Sequence, residues 1–343
     1  MTGYQEVFTD PSYFGQILVM TNAHIGNYGT LATETESDNV KISGLVVKNF
    51  TDPYSRKQAD ASIQQYLVEQ GVTAICDVDT RMLVRHIRSR GAQNAIISSE
   101  TLDETILRKR LDTAPGMAGL ELSTKVSTKA PYDVGESSSA FRVAVLDLGV
   151  KTNILRSLSE RGCYLRVFPA RTTYDEIMTW KPDGIFFSNG PGDPAAMPYA
   201  VETARRALDA DVPFFGICLG HQILALACGL QTYKMHHGHR GSNHAVKNLL
   251  TGLCEITTQN HGFGVQMDAS LNGTGDIKIT HVNLNDDSVE GIRLRDRMAF
   301  SVQYHPESSP GPHDSRYLFD EFVQMMAGRK VTDGKAVKLP AQS

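Results

Sequence analysis

The clearest periodicity in the chain lies between residues 140 and 233. Arg142–Leu148 is a mostly apolar run of strand length, and Ile154, Leu155 and Leu158 then recur at helical spacing before Gly162, a residue suited to a helix end. Cys163–Phe168 returns to strand character, Tyr174–Trp180 is a short helix, Gly184–Phe187 another strand and Ala200–Leu208 another helix. Strand and helix alternation of this kind predicts an α/β domain, a mostly parallel sheet flanked by helices on both faces.

The pattern before residue 126 is less regular. Gln16–Met20 and Gly44–Val47 read as strands, and Asp60–Gln70 and Asp79–Ser89 as helices, the latter with Asp79 as N-cap and Gly91 beyond its end. A smaller mixed α/β domain is expected here. Between the two, Ser127–Ser139 is rich in Ser and small polar residues around Pro131, lacks apolar periodicity and reads as a linker. The predicted organisation is a first domain over 1–126, a linker over 127–140, a second domain over 141–328 and a tail over 329–343 that carries no signal.

Val212–Tyr233 contains no Asp, Glu, Lys or Arg. A membrane span needs about 20 largely apolar residues, but Pro213, His221, Gln222 and the glycines interrupt this stretch, so it reads as a buried strand entering a buried helix. The 343 residues are 41% hydrophobic and carry a net charge of −4, without the basic surplus of a nucleic-acid binder. The five cysteines are scattered and form no Cys-x-x-Cys pair, which fits a reduced cytoplasmic protein better than a disulfide framework or zinc site. Met1–Asp10 has two acidic residues and no Lys or Arg, unlike a signal or transit peptide.

Within the uncharged window, Phe214-Phe-Gly-Ile-Cys-Leu-Gly220 sets Cys218 at a strand-to-helix junction with small residues two positions before and after it. A sharp turn of that kind presents a nucleophile at a helix N-terminus, where orphan amides and the helix dipole favour thiolate. On this motif alone, Cys218 reads equally well as a small buried hydrophobe. A second motif, His305-Pro-Glu307, follows the predicted strand Met298–Tyr304. If the chain stays extended there, Glu307 and His305 point to the same side and the carboxylate orients the imidazole. A third, Ser188-Asn-Gly-Pro-Gly-Asp-Pro194, follows the strand Gly184–Phe187 and suits backbone N–H groups laid beside a reacting carbonyl.

These three motifs, in this order, resemble the class I glutamine amidotransferase family. In the first domain, Met1-Thr-Gly-Tyr-Gln-Glu6, Thr9-Asp-Pro-Ser-Tyr13, His24-Ile-Gly-Asn27, Asp79-Thr-Arg81 and Arg85-His86 resemble the small subunits of carbamoyl-phosphate synthases. The resemblance runs from Met1 to about Met326. Members of that family carry further β-rich sequence ahead of the first motif, so the first domain is expected to be short at its N-terminal end.

The resemblance implies a glutaminase in which Cys218, His305 and Glu307 are catalytic, working through a cysteine thioester. It implies that L-glutamine is bound by Ser12, Gly190, Gly192, Leu219, Gln222, Asn260, Gly262 and Phe263, with the N–H groups of Gly192 and Leu219 as oxyanion donors. It further implies a large-subunit partner in a heterodimer or an oligomer of heterodimers. That subunit would use ATP, Mg and bicarbonate to make carbamoyl phosphate for pyrimidine and arginine biosynthesis. No cofactor is expected on this chain: Gly149-Val-Lys-Thr152 lacks the glycine spacing of a P-loop. No metal is expected either, because Lys234-Met-His-His-Gly-His239, with His244 nearby, has no carboxylate or thiol at ligand spacing. A catalytically silent stabilising subunit and a stand-alone γ-glutamyl hydrolase remain as alternatives.

Overall fold

The computed structural model describes residues 3–266 and 277–328. Its first unit holds a small parallel sheet of β1 (Ile17–Val19), β2 (Gly44–Val46) and β3 (Thr73–Ile75), paired in that order. Helix α1 (Tyr4–Thr9) precedes the sheet, α2 (Ile63–Glu69) connects β2 to β3, and α3 (Thr80–Arg90), α4 (Glu104–Asp112) and α5 (Ser123–Val126) follow. The start of α3 is set as its sequence suggests: the Asp79 side chain accepts from the Met82 amide at 2.9 Å. Tyr4, Phe8, Leu45 and Ile63 form the centre of this unit's core.

The stretch read as a linker contains an edge strand, β4 (Tyr132–Val134). The predicted alternation then appears as β5 (Phe141–Asp147), α6 (Thr152–Ser159), β6 (Cys163–Pro169), α7 (Tyr174–Thr179), β7 (Gly184–Phe187), α8 (Pro198–Asp209), β8 (Phe214–Ile217) and α9 (Leu219–Ala227). Five more strands and a helix complete the fold: β9 (Thr232–Asn248), β10 (Cys254–Val265), β11 (Ile277–Asn283), β12 (Val289–Leu294), β13 (Ala299–Val302) and α10 (Tyr317–Met326).

All ten strands from β4 onward form one sheet, ordered β10-β9-β11-β12-β13-β8-β7-β5-β6-β4. Its middle, β13-β8-β7-β5-β6, is parallel, and the outer strands extend it in antiparallel fashion. Successive side chains of a strand face opposite sides, and the paired phenylalanines show it. Phe187 and Phe214 pack with Ile177, Ala204 and Ile223 of α7, α8 and α9. Phe186 and Phe215 pack on the other side with Ile154 and Leu158 of α6 and Phe319 and Phe322 of α10. This two-faced burial fixes the carboxyl ends of β5, β7, β8 and β13 side by side, and that edge carries the motifs singled out in the sequence. Among the described residues, no helix is long and apolar enough to cross a membrane.

Candidate active site

Cys218 stands between β8 and α9 with φ 55° and ψ −101°, a backbone that a non-glycine residue adopts only when its surroundings enforce it. Here they do. The Cys218 amide donates to Val302 O at 2.9 Å, and the Gly220 amide to Ser188 O at 3.1 Å. The flanking glycines have a steric cause: a Cβ on Gly220 would lie 2.3 Å from Phe187 O, and one on Gly216 2.6 Å from Gly220 O. The strand-to-helix elbow read from the sequence is therefore present, with the cysteine buried at its tip.

His305 reaches this tip from the far side of β8. Its amide donates to Thr258 O of β10 at 2.9 Å. The expectation of an extended chain through Glu307 is corrected: β13 ends at Val302, and the Ser308 amide donates to His305 O at 3.1 Å, closing a turn. The turn nevertheless delivers the same pairing, with His305 Nδ1 2.7 Å from Glu307 Oε1. Glu307 is wholly buried, so its charge needs compensation. Lys151, also buried, supplies it: Nζ donates to Glu307 Oε1 at 2.9 Å and to Ser308 O at 2.5 Å.

The electrostatics follow from these contacts. Burial alone would depress the His305 imidazole, but the charge and hydrogen bond of Glu307, with Cys218 nearby, raise it to about 10; its Nε2 has no hydrogen-bond partner among the described residues. Burial likewise opposes ionisation of Glu307, yet Lys151 and His305 hold it below the usual carboxylate range. Lys151 in turn is raised against its own desolvation by Glu307, Glu36 and Asp10. The array favours a protonated imidazole at His305, within electrostatic reach of Cys218.

The residues predicted to hold substrate converge on the same edge. Asn260 O is 3.7 Å from Cys218 Sγ. Gln222, on α9, donates from Nε2 to Phe263 O at 2.9 Å and to Gln303 Oε1 at 3.0 Å. Ser12 arrives from the first unit, its Oγ accepting from Asn189 Nδ2 at 2.8 Å. Gly190 sits so close to Leu148 O and Leu219 that a side chain has no room, while Gly192, with φ 105°, turns against Leu120 and Leu122. Gly262 is partly exposed beside Lys234 and Arg240.

Several side chains at this edge were not singled out in the sequence. Asp10 links the two units, contacting Asn260 Nδ2 at 3.3 Å and Asn189 Nδ2 at 3.5 Å; both it and Asn189 lie inside motifs that were recognised. In the sequence Lys151 reads only as a remnant of a phosphate loop. Glu290, on β12, had no sequence signal: with His239 and His261 it places three ligand-type atoms within 4.8 Å of one another. It thus provides the carboxylate that the histidine-rich run lacks in the sequence. Its two oxygens are occupied by protein donors, however, Asn283 Nδ2 at 2.9 Å and Gln259 Nε2 at 3.0 Å.

Residues 144–325 match the family Glutamine amidotransferase class-I, and the second unit is a domain of that class. Residues 1–97 match the Carbamoyl-phosphate synthase small chain, CPSase domain. The carbamoyl phosphate synthase small chain of Chlorobaculum tepidum is 48% identical over 328 residues, 95% of this chain and 89% of that one. Those of Polynucleobacter asymbioticus and Synechococcus sp. are each 46% identical, covering 96% and 97% of this chain and 89% and 87% of their own lengths. The chain belongs to the carbamoyl-phosphate synthase small-chain family, the glutamine amidotransferase half of the glutamine-hydrolysing synthase.

Proposed function

We propose that this chain hydrolyses L-glutamine through a cysteine thioester and hands the ammonia to a large chain. Cys218 Sγ attacks the side-chain amide carbon, and the proton on His305 passes to the departing nitrogen, which leaves as ammonia. A γ-glutamyl thioester remains. Water then adds to the thioester carbon, giving a proton to the now neutral His305; the C–S bond breaks and glutamate departs. Leu219 is the first residue of α9, so its N–H has no partner within the helix. With the Gly192 N–H it is the expected donor to both oxyanions. Ser12, Gly190, Gln222, Asn260, Gly262 and Phe263 complete the glutamine site.

The observation that carries this reading is the strained Cys218 beside a buried Lys151–Glu307–His305 array. A silent stabilising subunit would have no use for an imidazolium held within electrostatic reach of the sulfur. A stand-alone hydrolase would have no need of Asp10 and Ser12 from the first unit. The large chain would carry ATP and Mg and turn bicarbonate and ammonia into carbamoyl phosphate, in the cytoplasm, for pyrimidine and arginine synthesis. This chain itself would need no cofactor.

Carbamoyl phosphate formation by the complex, driven by glutamine or by ammonium, tests the assignment. Cys218→Ala is expected to lower the glutamine-driven rate at least about a thousandfold and to spare the ammonium-driven rate. Glutamine-driven synthesis that survives the substitution would refute the nucleophile.

A further inference from the structure

Behind the glutamine site lies a second buried polar set that the proposed chemistry does not use. It begins on β12, where Glu290 is wholly buried. Glu290 Oε2 accepts from Gln259 Nε2 at 3.0 Å, Gln259 Oε1 faces His261 Nε2 at 2.9 Å, and His261 Nδ1 lies 2.8 Å from Phe263 O. That carbonyl is also the one that Gln222 Nε2 reaches at 2.9 Å. On the other side, His239 Nδ1 is 3.5 Å from Glu290 Oε1, and His239 Nε2 is 2.9 Å from the exposed Asp286. The set therefore runs from the surface to the Asn260–Phe263 segment without a break.

Proton bookkeeping shows that its members depend on one another. Both nitrogens of His261 face oxygens, and because burial and the neighbouring His239 hold this ring well below the ordinary imidazole value, it carries one N–H and cannot donate to both. With the Gln259 amide turned end for end, as hydrogen-bond partners dictate, Nε2 of the ring accepts and the N–H on Nδ1 serves Phe263 O. In either arrangement the orientation of Gln259 ties the contacts of Glu290 to those of His261. Removing the carboxylate leaves buried donors on Gln259 and Asn283 unpaired, which distorts or destabilises whatever they hold. Gln259, through His261, holds the Phe263 carbonyl, on the strand that also places Asn260 O 3.7 Å from Cys218 Sγ.

We propose that Glu290, acting through Gln259 and His261, is a positioning residue for substrate glutamine: it fixes the Asn260–Phe263 segment and so sets glutamine affinity. This rests on the reading that glutamine binds at Asn260, Gly262 and Phe263. A group that orders a binding segment but touches no reacting atom should alter KM and leave kcat. A carboxamide at 290 can re-form the whole set, donating to a turned Gln259 amide that donates to His261. An apolar side chain of similar length cannot.

The test is steady-state glutamine hydrolysis by the full complex, with ammonium-driven synthesis as a check on its integrity. Glu290→Met is expected to raise KM for glutamine about tenfold with kcat within about twofold, whereas Glu290→Gln stays within about threefold of wild type in KM. Gln259→Met should match Glu290→Met, and the double substitution should be no worse than either alone. The Gln259→Met variant, which keeps the Glu290 side chain, leaves the test open if Glu290→Met does not fold. Equal KM values for the Met and Gln variants at 290, additive effects, or a loss in kcat instead of KM would overturn the proposal. If Cys218→Ala still hydrolyses glutamine, the underlying functional reading fails; if it does not and the 290 variants match wild type, only this inference fails.

Discussion

Two wholly buried carboxylates flank the candidate site, and they meet their histidines in different ways. Glu307 touches His305 directly and has a buried cation, Lys151, on the same oxygen. Glu290 has no lysine on its oxygens: two amides, Gln259 and Asn283, occupy them, His239 Nδ1 stands farther off at 3.5 Å, and the contact to His261 runs through Gln259. A direct charge contact changes what the ring is, whereas a relayed hydrogen bond changes where it points. In the proposed chemistry the first corner governs proton transfer and the second governs binding. Both sit at the edge of one sheet, on turns and strands that belong to the same domain.

The comparison breaks most readily at Glu307. Glu307→Gln keeps the shape but removes the charge that holds the imidazolium, and kcat for glutamine hydrolysis is expected to fall about 10²–10⁴-fold with little change in KM. Lys151→Met comes next. It leaves a buried carboxylate with one charged partner fewer, so denaturant unfolding should show a loss of about 3 kcal/mol, with a smaller fall in kcat. A pH series sharpens the same corner. His305 is raised from 6.5 to about 10 by the charge of Glu307, with Cys218 nearby, against burial. Its contribution to stability is thus complete below pH 6.5 and is lost as pH rises through about 10. Glu307, lowered from 4.5, contributes above that value and loses its contribution as pH falls below it. Unfolding free energy should decline from neutral to alkaline pH, and Glu307→Gln should flatten that decline. Ser12→Ala is expected to have a smaller effect: loss of its hydrogen bond with Asn189 is worth about 1 kcal/mol, or roughly fivefold in KM. Asp286→Asn, at the exposed end of the Glu290 set, should change KM less than about threefold.

The part of this picture that the sequence disclosed is the part written locally. The elbow at Cys218 is a steric consequence of residues two apart, so Gly216 and Gly220 announce it. The alternation from β5 to α9 was legible because each element buries one apolar face or stripe. Other features had no local signature. Lys151 meets Glu307 across 156 positions of chain, and a lysine after Gly-Val resembles a damaged phosphate loop until that partner is seen. The β9–β10 hairpin is paired along most of its length but carries few buried apolar side chains, Met235 and Val246 on β9 and Phe263 and Val265 on β10. Its backbone ladder and the Glu290–His239 contacts hold it in place of an apolar alternation. The short β4 was hidden in a Ser-rich stretch because it pairs as an edge strand with half-exposed side chains. Extended geometry through His305–Glu307 was the wrong route to the right contact, since two residues also meet across a tight turn.

The most direct measurement is kcat and KM for glutamine, taken side by side on Glu307→Gln and Glu290→Met complexes at one pH. The account predicts a collapse of kcat in the first and a rise of KM alone in the second. A fall in kcat in both, or a rise in KM in both with kcat intact, would contradict the division between the two carboxylates.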